Sequence, residues 1–142
     1  MGRNLKKKQE IISYCRENNL QPVVVVAQHK SHLDIPNSSL CYPEIPEFLS
    51  LIDHAQLVVT DSFHGTVFSL LFNTPVVVIP KNDHDARFQT LNEYFNIAEA
   101  YCRGEFRDAV NHYFDFTAIN EKIKELQFTG WEYLRTVTGE KI

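Results

Sequence analysis

The sequence has little of several features that would assign it to a specialised class. It has no apolar run long enough to cross a bilayer and no signal-peptide core near its N-terminus. Its three cysteines, Cys15, Cys41 and Cys102, form no CxxC spacing, so neither a disulfide framework nor a zinc site is predicted. The one basic cluster, at residues 3–8, opens a helical pattern rather than a stripe with interleaved aromatics, which argues against nucleic acid. We therefore expect a cytoplasmic protein with reduced thiols and no metal.

Glycine is also scarce, with five residues in 142, and there is no repeat or Gly/Ser linker. We therefore expect residues 1–142 to form a single domain. The chain has 44% hydrophobic residues and a formal net charge of -4, as in ordinary soluble proteins. At this length it can bury one core but is small for a complete two-substrate enzyme.

Three uninterrupted β-branched runs give the clearest fold signal: PVVVVA, LVVT and PVVVI, at 22–27, 57–60 and 75–79. Such runs are typical of strands covered on both faces in a parallel sheet. Apolar residues at helical spacing lie around and between them, in segments 4–19, 44–55 and 64–74. The alternation predicts an α/β fold, a Rossmann-like doubly wound parallel sheet.

Weaker patterns complete this prediction. Short strands are expected near 40–42 and 98–102, and a last amphipathic helix carries Ile119, Ile123 and Leu126 on one side before a break at Gly130. Doubly wound domains normally begin with a strand, whereas this chain begins with a helical pattern. We therefore expect the first strand to be missing, so that the chain is a piece of a longer protein or has its sheet completed by a partner.

Three loops leave the carboxyl ends of the predicted strands, at 28–34, 61–65 and 80–87. In open parallel sheets, ligands bind in the crevice outside these ends. The loops therefore bring a set of polar side chains to one edge, namely His29, Lys30, His32, Asp61, Ser62, His64, Lys81, His84 and Arg87.

The turn TDSFHG, residues 60–65, is the sharpest of these signals. A strand that turns directly into a helix presents free backbone N–H groups where a phosphate or carboxylate can dock, and Gly65 would let the anion approach closely. Asp61 and Ser62 either contact that ligand or simply cap the helix. His64 is either a proton donor, charged when an anion arrives, or a packed neutral histidine.

Other polar residues at this edge each have two interpretations. A first-turn arginine such as Arg87 is unfavourable for the helix dipole, which suggests an anionic ligand or a salt bridge to Asp83 or Asp85. The pair His29 and His32 has a spacing that metals use, but without a third ligand a solvated loop is favoured. Residues 82–85 are more economically an Asx cap than a cation site.

The run IDHAQLVVTDSFHGTVFSLLFNTPVVVIP, followed by Arg87 and QTLNEYFNI, resembles the C-terminal part of the polysaccharide pyruvyl transferase family across residues 43–96. Members resemble two-domain GT-B glycosyltransferases. The resemblance implies transfer of an enolpyruvyl group from phosphoenolpyruvate to a sugar of a surface or secreted polysaccharide, giving a pyruvate ketal. It also implies a glycan or lipid-linked acceptor, which could hold the protein at a membrane surface.

The resemblance assigns roles to particular positions. Ser62, His64 and Gly65 match the family's S-x-H-G turn, and Arg87 matches the arginine after the following strand. His64 is expected to protonate the vinyl group or the departing phosphate, while the N–H groups of Gly65 and Thr66 hold an anionic oxygen. Arg87 would clamp the carboxylate or phosphate with help from Lys81, and no cofactor or metal is needed.

Full family members are more than twice as long, so we expect this chain to be a C-terminal portion that is weakly active or inactive without an N-terminal domain or partner chain. Two alternatives belong to other classes. One is the donor half of a GT-B sugar-nucleotide glycosyltransferase, although no acidic residue is well placed to hold a ribose. The other is a non-catalytic interaction module in polysaccharide biosynthesis.

Overall fold

A computed structural model describes residues 2–25, 38–80 and 85–139 of the chain. These residues form the following elements in order: α1 (Gly2–Glu17), β1 (Val23–Val25), β2 (Ser39–Cys41), α2 (Ile45–Asp53), β3 (Val58–Thr60), α3 (Phe63–Leu71), β4 (Val76–Val78), α4 (Ala86–Phe95), a 3₁₀ turn (Ala98–Ala100), α5 (Phe106–Val110) and α6 (Phe116–Thr138). The predicted mixture of helices and strands is confirmed.

The strands pair in parallel, as the β-branched runs predict. β1 pairs with β2 with Val24 opposite Leu40, and β3 pairs with β4 with Val59 opposite Val77. A single parallel bridge joins the end of β4 to Tyr101. Within the described residues β1–β2 and β3–β4 are two separate pairs, so one doubly wound Rossmann-like or GT-B sheet stays a prediction.

The side chains of β4 are fully buried and divide the core into two layers. Val76 and Val78 pack with one cluster, in which α3, α4 and α6 contribute Leu70, Leu91 and Ile119. Val77 points the other way and packs with residues of α1, α5 and the segment before α5, among them Ile11, Cys102 and Phe106. Because successive strand side chains alternate between faces, this short all-valine strand needs helices on both sides.

Two local predictions were wrong. α6 continues from Phe116 to Thr138 without a break at Gly130, since a single glycine costs a helix only about 1 kcal/mol. The strand expected at 98–102 is instead a 3₁₀ turn followed by the one bridging residue, Tyr101.

The first helix is fixed to the domain by its contacts with α5. The Glu10 carboxylate accepts a hydrogen bond from the Phe106 backbone N–H at 2.8 Å, and the Tyr14 ring meets the Phe106 ring edge-on at 5.7 Å. The carboxylate of Glu17 pairs with the guanidinium of Arg107. Among the described helices, none is both long enough and apolar enough to cross a membrane.

Candidate functional site

The residues predicted to form the site lie in two described places. Asp61, Ser62, His64, Gly65 and Thr66 occupy the junction between β3 and α3, and Arg87 lies in the first turn of α4. The remaining predicted contributors lie outside the described residues, namely Lys81, His29, Lys30, His32 and His84.

The turn from β3 into α3 is closed by side-chain hydrogen bonds. Ser62 is the N-cap of α3, and its Oγ accepts from the Gly65 N–H at 3.3 Å. The Ser62 N–H in turn donates to Thr60 Oγ1 at 3.0 Å. Ser62 therefore has the capping role that the sequence offered as one of its two interpretations.

The backbone N–H groups of Gly65 and Thr66 already have partners inside the turn. Gly65 donates to the Ser62 hydroxyl, and the Thr66 N–H donates to the Ser62 carbonyl at 3.0 Å. The first two N–H groups of a helix have no carbonyl acceptor within it, and here these belong to Phe63 and His64. The N–H groups available to an anion are thus two residues earlier in the chain than the predicted pair.

Gly65 allows close packing of α3 on β3. A Cβ atom at this position would lie 2.7 Å from Thr60 Oγ1 and 3.3 Å from its Cγ2. The Thr60 side chain therefore leaves no room for a side chain at position 65, and approach of an anion to the Gly65 backbone stays a prediction.

Replacing Gly65 by alanine is expected to lower the free energy of unfolding by about 1–3 kcal/mol, because an added methyl group would overpack the α3–β3 contact. Urea unfolding followed by circular dichroism measures this change. The matched control is Gly130→Ala, whose Cβ meets no atom of the described residues within 4 Å and which should stabilise α6 by up to about 1 kcal/mol. Equal stability of the two variants would contradict this account of Gly65.

His64 occupies the second position of α3, and its side chain is exposed. Its ring meets the Phe63 ring edge-on, with 5.7 Å between the centroids. It is therefore not the enclosed core histidine of the alternative interpretation. An exposed imidazole at a helix N-terminus is positioned to meet a bound anion and exchange a proton with it.

Arg87 forms the salt bridge that the sequence offered as an alternative. Its Nη2 is 2.7 Å from Asp85 Oδ2, and its Nε donates to Asp85 Oδ1 at 3.1 Å. These hydrogen bonds lower the pKa of Asp85 and raise the pKa of Arg87 above its usual value. The guanidinium remains largely exposed and also lies over the Phe63 ring, 5.4 Å from its centroid. The contact with Phe63, the first residue of α3, therefore places Arg87 beside the N-terminus of that helix, and the ion pair orients its side chain.

Phe63 joins the two predicted groups and was missed in the sequence. Its ring contacts the His64 ring, the Arg87 guanidinium and the Phe88 ring, the last edge-on at 5.9 Å. The signal for Phe63 in the sequence is its position between the N-cap residue and the histidine at the start of the helix. Its contacts bring His64 and Arg87 around one aromatic side chain.

The described residues contain no group of three or more His, Cys, Asp or Glu side chains placed to hold a metal ion. The histidine pair at 29 and 32 lies outside those residues. The described part of the site consists of an exposed imidazole, a guanidinium and the N-terminal N–H groups of α3, a set that suits a small organic anion.

Comparison with known proteins identifies one family. The model of the polysaccharide pyruvyl transferase family matches residues 2–83, which is more than half of the chain. The matched span includes the whole β3–α3 turn and ends before Arg87. Neither the curated proteins nor the solved structures contain a match.

Proposed function

The chain belongs to the polysaccharide pyruvyl transferase family, and we propose on this premise that the N-terminus of α3 binds phosphoenolpyruvate as the donor of the transferred group. The observation that carries the proposal is the arrangement of His64 and Arg87 around Phe63, at the carboxyl end of β3. This is the sheet edge at which α/β domains bind ligands.

Phosphoenolpyruvate has two anionic groups, a carboxylate and a phosphate, and the site offers two kinds of partner for them. The N–H groups of Phe63 and His64, at the positive end of the α3 dipole, would bind one anion. The guanidinium of Arg87 would bind the other through charge-assisted hydrogen bonds. We also propose that Lys81 helps Arg87 to bind this anion, and this role rests only on the position of Lys81 in the sequence.

The reaction requires a proton on the methylene carbon, which makes C2 an electrophile. A sugar hydroxyl adds to C2 and loses its proton, inorganic phosphate leaves, and a second hydroxyl closes the cyclic ketal and loses its proton. One of these two protons replaces the one added to the methylene carbon, and the other leaves with the phosphate. His64 is the proposed acid, acting on the vinyl carbon or on the departing phosphate. Pairing with the anionic donor would keep the proton on the imidazole while the donor is bound.

The other residues of the turn have positioning roles in this proposal. Ser62 caps α3, Gly65 allows its close contact with Thr60, and Thr66 donates its N–H and its hydroxyl to the Ser62 carbonyl. Together they fix the direction of the first turn and hence of the His64 side chain. Small errors in such placement weaken catalysis strongly.

The acceptor is a sugar of a polysaccharide, as the family name indicates. We propose that an N-terminal domain or a partner chain completes the cleft around it, so that the 142 residues alone bind the donor but transfer it slowly or not at all. The proposed setting is the cytoplasm, or the membrane surface when the acceptor is linked to lipid.

Titration calorimetry of phosphoenolpyruvate into the chain tests the donor site. Binding is expected to take up a proton near neutral pH, because the anion stabilises the imidazolium of His64. Repeating the titration in buffers with different ionisation enthalpies measures this uptake. In His64→Ala the uptake should disappear and the affinity should fall roughly 10- to 100-fold, as for the loss of a charge-assisted hydrogen bond.

The matched control is His54→Ala, because His54 is also exposed but lies at the C-terminal end of α2. This variant should bind phosphoenolpyruvate with unchanged affinity and proton uptake. UDP and inorganic phosphate serve as competing ligands. Tighter binding of UDP would favour a sugar-nucleotide transferase, and unchanged proton uptake in His64→Ala would remove His64 from the proposed mechanism.

A further inference from the structure

A cavity of about 260 Å³ lies beside α4, on the side that faces the 3₁₀ turn and Tyr101. Its apolar wall is formed by Val78 at the end of β4 and by Phe88 and Tyr101, whose rings meet edge-on. Gln89, Asn92 and Glu93 of α4 supply polar side chains along one wall. An apolar surface combined with convergent polar side chains is typical of small-molecule sites.

Asn92, which lines this cavity, has an unsatisfied hydrogen-bond acceptor. Its Oδ1 is shielded from solvent and has no hydrogen-bond partner among the described residues. Buried polar atoms without partners are rare in native proteins because desolvating them without compensation is unfavourable. The neighbouring polar group, the Tyr101 hydroxyl, cannot compensate, since it donates to the Phe88 carbonyl at 2.8 Å. A turn of the Asn92 amide toward the cavity would bring this oxygen to a bound hydroxyl, which both donates and accepts.

The charges around the cavity favour a neutral ligand. Asp85 and Glu93 are acidic and Arg103 is basic, and the Asp85 carboxylate is paired with Arg87. Arg103 lies over the Tyr101 ring, with its guanidinium carbon 5.8 Å from the centroid. This balance contrasts with the N-terminus of α3, where a helix dipole and a guanidinium both favour an anion.

We propose that this cavity binds one neutral, hydroxyl-rich ring, a monosaccharide unit of the acceptor glycan, through the amides of Asn92 and Gln89 and the carboxylate of Glu93. Its identification as an acceptor unit rests on the proposed function. Two contacts join the cavity to the donor site: the Phe88 ring touches Phe63, and Asp85 pairs with Arg87.

Methyl-resolved NMR of the chain tests this site with methyl glycosides of glucose, galactose, mannose and N-acetylglucosamine. At least one glycoside should shift the methyl signals of Val78 and Ala98, which line the cavity, in a saturable way. In Asn92→Leu the affinity should fall by about tenfold or more, while the melting temperature stays equal or rises, because the unpaired amide is removed.

Gln89→Trp is a second variant, because Gln89 is exposed at the cavity and a larger side chain should fill it without disturbing the core. It should also abolish the glycoside shifts. The matched control is Asn111→Leu, at the exposed C-cap of α5, which should bind glycosides as the parent does. Unchanged glycoside binding in both cavity variants would overturn the proposal, as would shifts at these methyls with inorganic phosphate but not with any glycoside.

The donor titration separates failure of this inference from failure of the proposed function. Phosphoenolpyruvate binding that requires His64, without any glycoside shift at Val78 or Ala98, would leave the donor site standing and reject the sugar site. Glycoside binding that requires Asn92, without donor binding, would establish a sugar site and reject the proposed donor. His64→Ala should leave the glycoside shifts unchanged.

Discussion

Replacing Arg87 by alanine is expected to weaken phosphoenolpyruvate binding by roughly 10- to 100-fold, since a charge-assisted interaction with an anion contributes about 1.5–3 kcal/mol. The guanidinium is mostly exposed, so its pairing with Asp85 leaves donors facing outward. Removing it would also leave the Asp85 carboxylate uncompensated beside the anion. Calorimetry at fixed low salt measures the change in affinity.

Arg107→Ala is the matched control. Arg107 has the same side-chain exposure as Arg87, 63%, and is likewise paired with a carboxylate, that of Glu17. It lies in α5, away from the N-terminus of α3. Arg87→Lys should recover part of the affinity, because an ammonium keeps the charge but loses the bidentate geometry. Equal effects of Arg87→Ala and Arg107→Ala would mean that Arg87 acts only through net charge.

Phe106→Ala should cost about 3–5 kcal/mol of the free energy of unfolding, the range found when buried aromatic side chains are truncated. Phe106 is 1% exposed and packs with Ile11 of α1 and Val77 of β4. Its ring also contacts Tyr14. The total free energy of unfolding of a small domain is only about 5–15 kcal/mol. This variant should therefore be close to losing its folded state. Chemical denaturation followed by far-UV circular dichroism tests it.

Phe128→Ala makes the same chemical change at the surface, where the phenylalanine is 66% exposed in α6. Its effect should stay within about 0.5 kcal/mol, as for most surface substitutions. If Phe106→Ala lowered the free energy of unfolding as little as Phe128→Ala, α1 and α5 would not form a cooperative unit with β4.

The parallel strand pair β3–β4 and the helix between them could be predicted because their signals are local. Two β-branched runs flank an apolar segment of helical length, and Ser62 occupies the N-cap position that its residue type favours. The β3–α3 turn was placed for the same reason. The family match confirms the predicted family but covers a different span, residues 2–83 rather than 43–96.

The elements that could not be predicted depend on tertiary contacts. α5 has only five residues, Phe106–Val110, too few for a periodic pattern; burial of Phe106 and its bond to Glu10 stabilise it instead. α6 continues through Gly130, because the residues on both sides sustain a helix that one glycine does not end.

The contact between Arg87 and Phe63 could not be predicted either. It depends on how the first turns of α3 and α4 approach each other, and no spacing along the sequence encodes that approach. The salt bridge with Asp85 was visible as a possibility because the two residues are only two positions apart. The sequence therefore indicated His64 and Arg87 of the proposed donor site but not Phe63, the aromatic side chain that contacts both.

Trp131 determines how the unfolding of this protein can be observed. It is the only tryptophan of the chain and is 59% exposed, in the later half of α6 beyond the residues that pack on the core. Its indole is already largely hydrated in the folded state, so its fluorescence should change little when the core of β3 and β4 opens. Tyr101, which is buried against Phe88, should give a near-ultraviolet dichroism signal that does follow the core.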